Sequence, residues 1–245
     1  MPIILKEGKM MSTIIGISGK IGSGKNYLAE KLMQEFETLG YSTAEGSFAA
    51  GLRSELNRMI QTIKVEILEG SNGETILNKL SHLYKLEHDE AELLYSCMVN
   101  DIIHVDGLNA NSRTESIRRA LQILGTDVRR KHNNDYWVEL FFKHVPEADF
   151  VLVTDVRFPN EADGVVESGG VLIRIDMPQH VIDERISQRD GLKYSESALN
   201  HPSEIALDDY EKFVFKVGET FDAKTLAQQI INYVDIPRRI AEQGV

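Results

Sequence analysis

The sequence predicts an α/β fold: a mostly parallel, five-stranded sheet with helices on both faces, a three-layer sandwich. Three observations carry that expectation. Strand-like apolar runs alternate with amphipathic helical stretches, and parallel strands need such crossovers. The first run, Ile14 to Ile17, is short and apolar, as suits a buried parallel strand. It enters a glycine-rich turn that meets a lysine and continues as a helical pattern, in "IIGISGKIGSGKNYLAEKLMQEF" (14–36).

The elements follow in order. After the glycines, Leu28, Leu32, Phe36 and Leu39 recur at spacings of four, four and three, which places them on one helix face. Gly40 is the expected stop. "YSTAE" (41–45) reads as a second, weaker strand. Phe48, Leu52, Leu56, Met59 and Ile60 mark another amphipathic helix. From 61 to about 111 a turn, "SNG" (71–73), and a helical pattern of mixed polarity predict a helical insertion. Ser112 with Glu115 three residues later predicts a capping box. Ile117, Leu121, Leu124 and Val128 continue the helix behind it. In "DYWVELFFKHV" (135–145) the expected core face is Val138, Phe141, Phe142 and Val145. "FVLVT" (150–154) is the strongest strand pattern, "VLIRI" (171–175) follows, and "FVFKV" (213–217) is the last strand before a closing helix around Leu226 to Tyr233. The expected organisation is a single domain over 12–245 with an insertion at about 61–111. Residues 1–11 are expected either to form an N-terminal extension or to precede a true translation start at Met10 or Met11.

Bulk properties narrow the function classes. Hydrophobic residues at 42% and charged residues at 27% are ordinary for a globular protein. A net charge of −11 argues against a broad surface for nucleic acid or anionic membrane, so no stable nucleic-acid binding is expected. A locally basic pocket for a small anion remains compatible with it. One cysteine, Cys97, has no internal disulfide partner and suits a reducing compartment. No apolar run approaches about 20 residues, so no membrane span is expected and the location is expected to be cytoplasmic.

Gly19-Lys20-Ile21-Gly22-Ser23-Gly24-Lys25 matches G-x-x-x-x-G-K, the phosphate-cradling P-loop, up to its final Ser/Thr. The glycines let successive backbone N–H groups turn inward on phosphate oxygens, and the following helix adds its N-terminal dipole. Lys25 would bridge the outer phosphates and neutralise charge moving to the leaving group. Asn26 stands where a hydroxyl usually meets magnesium. It offers an amide oxygen, so the metal would lean on phosphates, waters and a carboxylate elsewhere.

"FVLVTDVRFPNEA" places Asp155 just beyond a buried strand, and ligands of open parallel sheets collect at that edge. Asp155 is a candidate to orient magnesium waters or the attacking phosphate. Arg157 is a candidate grip on an anionic substrate, and Glu161 an acceptor for a base or sugar. In "SIRRALQILGTDVRRKHNNDYWVELF" Arg118 and Arg119 are adjacent, so one of them faces a given pocket. Gly125-Thr126-Asp127 is expected to interrupt the helix as a small polar turn. Trp137, the only tryptophan, is either a core residue or a free indole that stacks on a base. Arg185 and Arg189, four apart on one helix face, suit closure of positive charge over a migrating phosphoryl group, or else a solvated face.

Together, "SGKIGSGKN", "FAAGLRSEL", "RRALQILGTD…YWVELF" and "VTDVRFPNEA" resemble the bacteriophage deoxynucleoside monophosphate kinases, a branch of the P-loop nucleoside monophosphate kinase fold. "NHPSE" (200–204) fits less specifically. The resemblance covers Ile14 to about Val234 apart from 61–111. It implies ATP and Mg2+ on residues 19–27, with Gly19, Gly22, Ser23, Gly24, Lys25, Asn26 and Tyr27 as the nucleotide loop. It implies that Arg53 points at the acceptor phosphate. Arg119, Gly125, Thr126 and Trp137 would help hold the deoxynucleotide, and Asp155, Arg157 and Glu161 would complete the site. Members with aspartate after the P-loop lysine make Asn26 a mild departure, though one lacking that charge at the metal. The implied activity is transfer of the γ-phosphate of ATP to a deoxynucleoside monophosphate, in deoxynucleotide supply for phage-type DNA synthesis. Asp155 would assist magnesium or substrate, with Lys25, Arg157, Arg185 and Arg189 neutralising charge. The insertion is a candidate homodimer contact or substrate cover.

Three rivals share parts of the pattern. Dephospho-coenzyme A kinase has a similar opening loop but leaves "GTD" and "DVR" unexplained. A kinase acting on a modified base within DNA conflicts with the acidic net charge. A catalytically inactive nucleotide-binding regulator is motivated by Asn26 and opposed by the arginines.

Overall fold

Thr13–Gly19 forms the central strand, β1, buried up to its last residue. The computed structural model, which describes residues 12–112, 114–190 and 202–242, pairs it in parallel with β3 (Phe150–Val153) on one side and β4 (Val171–Ile175) on the other. β2 (Thr43–Gly46) joins β3, and β5 (Phe215–Val217) joins β4, giving the order β2-β3-β1-β4-β5 with every pair parallel. The leader at 1–11 lies outside the described residues. The chain forms two compact units: one holds the sheet, up to Phe48 and again from Phe142, and the other is Ala49–Phe141.

In the sheet unit, α1 (Lys25–Thr38) and α10 (Ala223–Glu242) cover one face. Leu28, Leu32 and Phe36 of α1 and Leu226 and Ile230 of α10 pack with Ile15, Ile17, Leu152 and Ile173 of the strands. The other face takes α7 (Pro159–Glu167), whose Ala162 and Val165 are buried. A methyl group on Gly16 would lie 3.1 Å from Val156 and 3.3 Å from Val165, so a bare backbone in β1 lets this layer close in. The three-layer α/β/α sandwich with five parallel strands is therefore present. α8 (Gln179–Asp190) and the short α9 (Pro202–Ile205) complete this unit's helices among the described residues.

Leu39 departs from its expected place on the core face of α1: it is 46% exposed. The helix ends at Thr38 and the chain turns through Gly40 (φ 89°), so the apolar face stops one turn early.

The helical unit contains α2 (Ala49–Leu68), α3 (Gly73–Tyr84), α4 (His88–His104), α5 (Glu115–Gln122), a π-helix (Ile123–Arg130) and most of α6 (Tyr136–Lys143). Its core is its own: Leu56, Met59, Ile60 and Ile63 of α2 pack with Leu80, Leu94, Met98, Ile117 and Leu124. α2 runs unbroken through position 61, because the same i, i+3, i+4, i+7 face continues to Ile63. Its buried Glu55 pairs with Arg129 of the π-helix, which also donates to the Tyr84 carbonyl at 2.6 Å. Both partners are thereby satisfied, as a buried pair requires.

Two expectations for this unit need correction. The cap of α5 is Thr114, whose hydroxyl accepts from the Ile117 N–H at 3.3 Å, while Ser112 accepts from the Asn109 N–H in the preceding turn. Gly125-Thr126-Asp127 does not interrupt the helix. The chain stays helical there and widens to i→i+5 bonding, a form found mostly as single turns within α-helices. No helix among the described residues is long and apolar enough to cross a membrane.

Candidate active site

β1 ends at Gly19 and α1 begins at Lys25, so the glycine-rich loop joins the central strand to a helix N-terminus. Gly22 (φ 78°) and Gly24 (φ 95°) adopt the left-handed conformation that side chains disfavour. Ser23 lies under the turn, and a methyl on Gly19 would meet its Oγ at 2.7 Å. That buried hydroxyl has no hydrogen-bond partner among the described residues. Lys25 folds back across the loop, donating from Nζ to the carbonyls of Gly19 (2.7 Å) and Lys20 (3.0 Å). Burial, and then the charge of Arg157, lower its pKa to about 8; Glu204 and Asp155 oppose that fall and Arg174 adds to it.

A cleft of about 340 Å³ opens on one side of the loop, walled by Ile21, Lys25, Asn26, Arg157, Arg185 and Ile186 among others. A second, of about 380 Å³, lies where Tyr27, Met177, Arg185, Gly218 and Phe221 surround the loop glycines. Arg185 borders both and donates to the Ser23 carbonyl at 3.3 Å. The helix α8 thus brings Arg185 over the loop, whereas the side chain of Arg189 lies outside the described residues. Asn26 and Tyr27 are exposed on the first turn of α1.

Asp155 follows β3 at the same sheet edge as the loop. Its carboxylate accepts from the Ser47 hydroxyl (2.7 Å) and the Phe48 N–H (3.1 Å), which ties the end of β2 to that of β3. Glu161 has a different role from the one expected. Its carboxylate is buried and accepts from the N–H groups of Arg157 (2.8 Å) and Phe158 (3.1 Å), closing the first turn of α7. It therefore fixes the backbone of Arg157, and a base or sugar would have to displace those bonds to use it. Arg157 in turn pairs with Glu204.

The remaining expected residues belong to the helical unit. Arg53 on α2 donates to the Ala110 carbonyl at 2.9 Å, anchoring the loop before α5. Arg119 and Thr126 are exposed, on α5 and the π-helix. Trp137 is a core side chain, 3% exposed, and its indole N–H donates to the Gly125 carbonyl at 3.1 Å. The free indole is thus overturned. Trp137 and Phe141 are one helical turn apart and both buried, so the core face of α6 is rotated from the one the pattern suggested.

Three residues were missed. Arg174 is buried within β4, bonded to Ser18 Oγ (3.2 Å), Asp208 (2.5 Å) and Asp176 (3.4 Å) beneath the loop. A charge inside the apolar run "VLIRI" was its signal, since such groups are buried only when paired. Asp208 is its partner, and also lies 3.9 Å from Lys20. Glu204 accepts from the Ile21 N–H at 2.7 Å as well as from Arg157, and nothing in "NHPSE" foretells a partner 47 residues away.

A family model for deoxynucleotide monophosphate kinase matches residues 55–212 of this sequence. The chain belongs to that family. Within the kinase family framework, a protein of Acanthamoeba polyphaga mimivirus, itself provisionally assigned as a deoxynucleotide monophosphate kinase, is 30% identical over 133 residues. The match covers 48% of this chain and 61% of that one, so the chain spans about three-fifths of that relative. Among solved structures, a gluconokinase from Sinorhizobium meliloti is 14% identical, with 96% and 98% of the two chains covered and a TM-score of 0.41. A dephospho-CoA kinase from Campylobacter jejuni is 17% identical, with 92% and 97% covered and a TM-score of 0.37. At these scores neither bears on what this kinase family member phosphorylates.

Proposed function

We propose that the protein transfers the γ-phosphate of ATP to a deoxynucleoside 5′-monophosphate, giving the diphosphate and ADP. The carrying observation is the phosphate loop flanked by Lys25, Arg157 and Arg185 on one cleft, in a chain of this kinase family. The triphosphate would lie on residues 19–27, its base in the second cleft near Tyr27, Met177 and Phe221. Lys25 would leave the Gly19 and Lys20 carbonyls for phosphate oxygens and neutralise charge as it passes to the leaving group. Arg157 and Arg185, each on a cleft wall, would hold the migrating group and exclude water.

The acceptor phosphate is already ionised at neutral pH, so positioning and charge neutralisation suffice and no covalent enzyme intermediate is needed. The donor set suits a magnesium ion carried mainly on phosphates: Asn26 offers an exposed amide oxygen and Asp155 a carboxylate, both hard ligands. Such an ion would neutralise charge on the phosphates. Asp155 would also orient the acceptor through its hold on Ser47 and Phe48. Arg53, Arg119 and Thr126 belong to the same reading as the acceptor's residues, with Gly125 and the buried Trp137 supporting them from the core through the indole N–H bond to the Gly125 carbonyl. So does treatment of 12–245 as one kinase domain, in the host cytoplasm if the protein is phage-encoded.

Incubation with γ-labelled ATP, magnesium and a mixture of deoxynucleoside monophosphates tests this reading. Label recovered in a deoxynucleoside diphosphate is the expected result; label recovered only as unreacted ATP and orthophosphate would refute it.

A further inference from the structure

Arg157 is gripped at both ends. Its backbone N–H is held by Glu161 at 2.8 Å, and its guanidinium pairs with Glu204. The Glu204 side chain is 7% exposed and spends both oxygens, one on Arg157 and the other on the Ile21 N–H of the phosphate loop at 2.7 Å. A carboxylate so buried persists only when its partners are in place. The Arg157 side chain is 37% exposed, with a long flexible stem that would otherwise sample many rotamers. Ile21 and Arg157 both wall the cleft beside Lys25, whereas Glu204 is not among the walling residues. From behind that wall the Glu204 carboxylate can hold the arginine and the Ile21 backbone in place.

We propose that Glu204 is a positioning residue that fixes the Arg157 guanidinium and the Ile21 amide against one another, so that the cleft meets a phosphate in a single arrangement. The consequence for turnover rests on the kinase reading above; the positioning itself does not.

The test therefore has two arms. In ¹⁵N-labelled protein, the Arg157 Nε–Hε signal, assigned by its loss in Arg157→Lys, is compared between wild type and Glu204→Gln. Glutamine keeps an oxygen for the Ile21 N–H but removes the charge that holds Arg157. The order parameter is expected to fall from about 0.8 to below about 0.6. In the kinetic arm, kcat is expected to fall by about 10- to 100-fold, with KM for ATP changing much less. Glu204→Asp, which retains the charge, is expected to recover part of both.

A fully folded Glu204→Gln protein with unchanged Arg157 order overturns the proposal whatever its activity. So does loss of order with kcat intact. If Glu204→Gln does not fold, the wild type decides: an Arg157 Nε–Hε order parameter below about 0.6 there refutes the proposal. Wild type that turns over no acceptor refutes the kinase reading instead, and leaves the order parameter to decide Glu204.

Discussion

Lys25 lies where burial and the charge of Arg157 both act against its proton, which lowers its pKa from the ordinary 10.5 to about 8. An arriving polyphosphate reverses the second influence and favours the charged form. The sign follows: near pH 8.5 a large fraction of free protein carries neutral Lys25, so ATP binding must take up a proton. Below about pH 7 the lysine is already charged and this uptake vanishes. Calorimetric titrations in buffers of different ionisation enthalpy measure it directly, and affinity should fall as pH rises through 8. Equal proton uptake at both pH values would contradict the assigned environment. Glu161 makes a prediction of another kind. Its loss in Glu161→Ala leaves the Arg157 and Phe158 N–H groups without their acceptor, at a cost of about 1–3 kcal/mol in a urea unfolding curve. It should also loosen the base of Arg157, lowering kcat. A contact made to substrate alone would leave the unfolding curve unmoved.

Among the elements, the π-helix and α6 depend on one another through Trp137 and the Gly125 carbonyl. Trp137→Phe keeps an aromatic ring but removes the donor, and should cost roughly 1 kcal/mol through the lost hydrogen bond. Because Trp137 is the chain's only tryptophan and is 3% exposed, wild-type emission should be blue-shifted and resist quenching by iodide. Ready quenching would place the indole on the surface after all. Periodicity made the α1 and α2 faces legible, since burial there follows the 3.6-residue repeat. It favoured Ser112 over Thr114 as the cap, because Ser112 has Glu115 at capping-box spacing whereas Thr114 has Ile117 there, and the cap that forms uses the hydroxyl alone. Nor could it foresee a π-helix, in which Gly125-Thr126-Asp127 stays hydrogen-bonded despite turn-forming residue types. Trp137 was left open between core and pocket, although the exposed pair Glu139 and Lys143 lies opposite Trp137 and Phe141 and marks theirs as the core face.

For the molecule as a whole, four apolar runs, the weaker "YSTAE" and the loop motif sufficed to anticipate the parallel sheet, its two helical layers and the loop's place between a buried strand and a helix, while the central position of that strand was not foreseen. Those features follow from local pattern and chain direction. What escaped was the polar scaffold under the loop, where Arg174 meets Ser18 and Asp208, and Arg157 meets Glu204. Such pairs join segments 34 to 156 residues apart, and no periodicity records them. They matter because the proposed chemistry uses no nucleophile or general base of its own. It depends on holding cations where phosphate charge moves. The most direct measurement is therefore coupled ADP release with ATP-magnesium and each of dAMP, dGMP, dCMP, dTMP and 5-hydroxymethyl-dCMP, alongside Lys25→Ala. A kinase at this loop gives turnover with at least one acceptor and loses it in the variant. ATP binding without turnover on any acceptor, or turnover that survives Lys25→Ala, would contradict it.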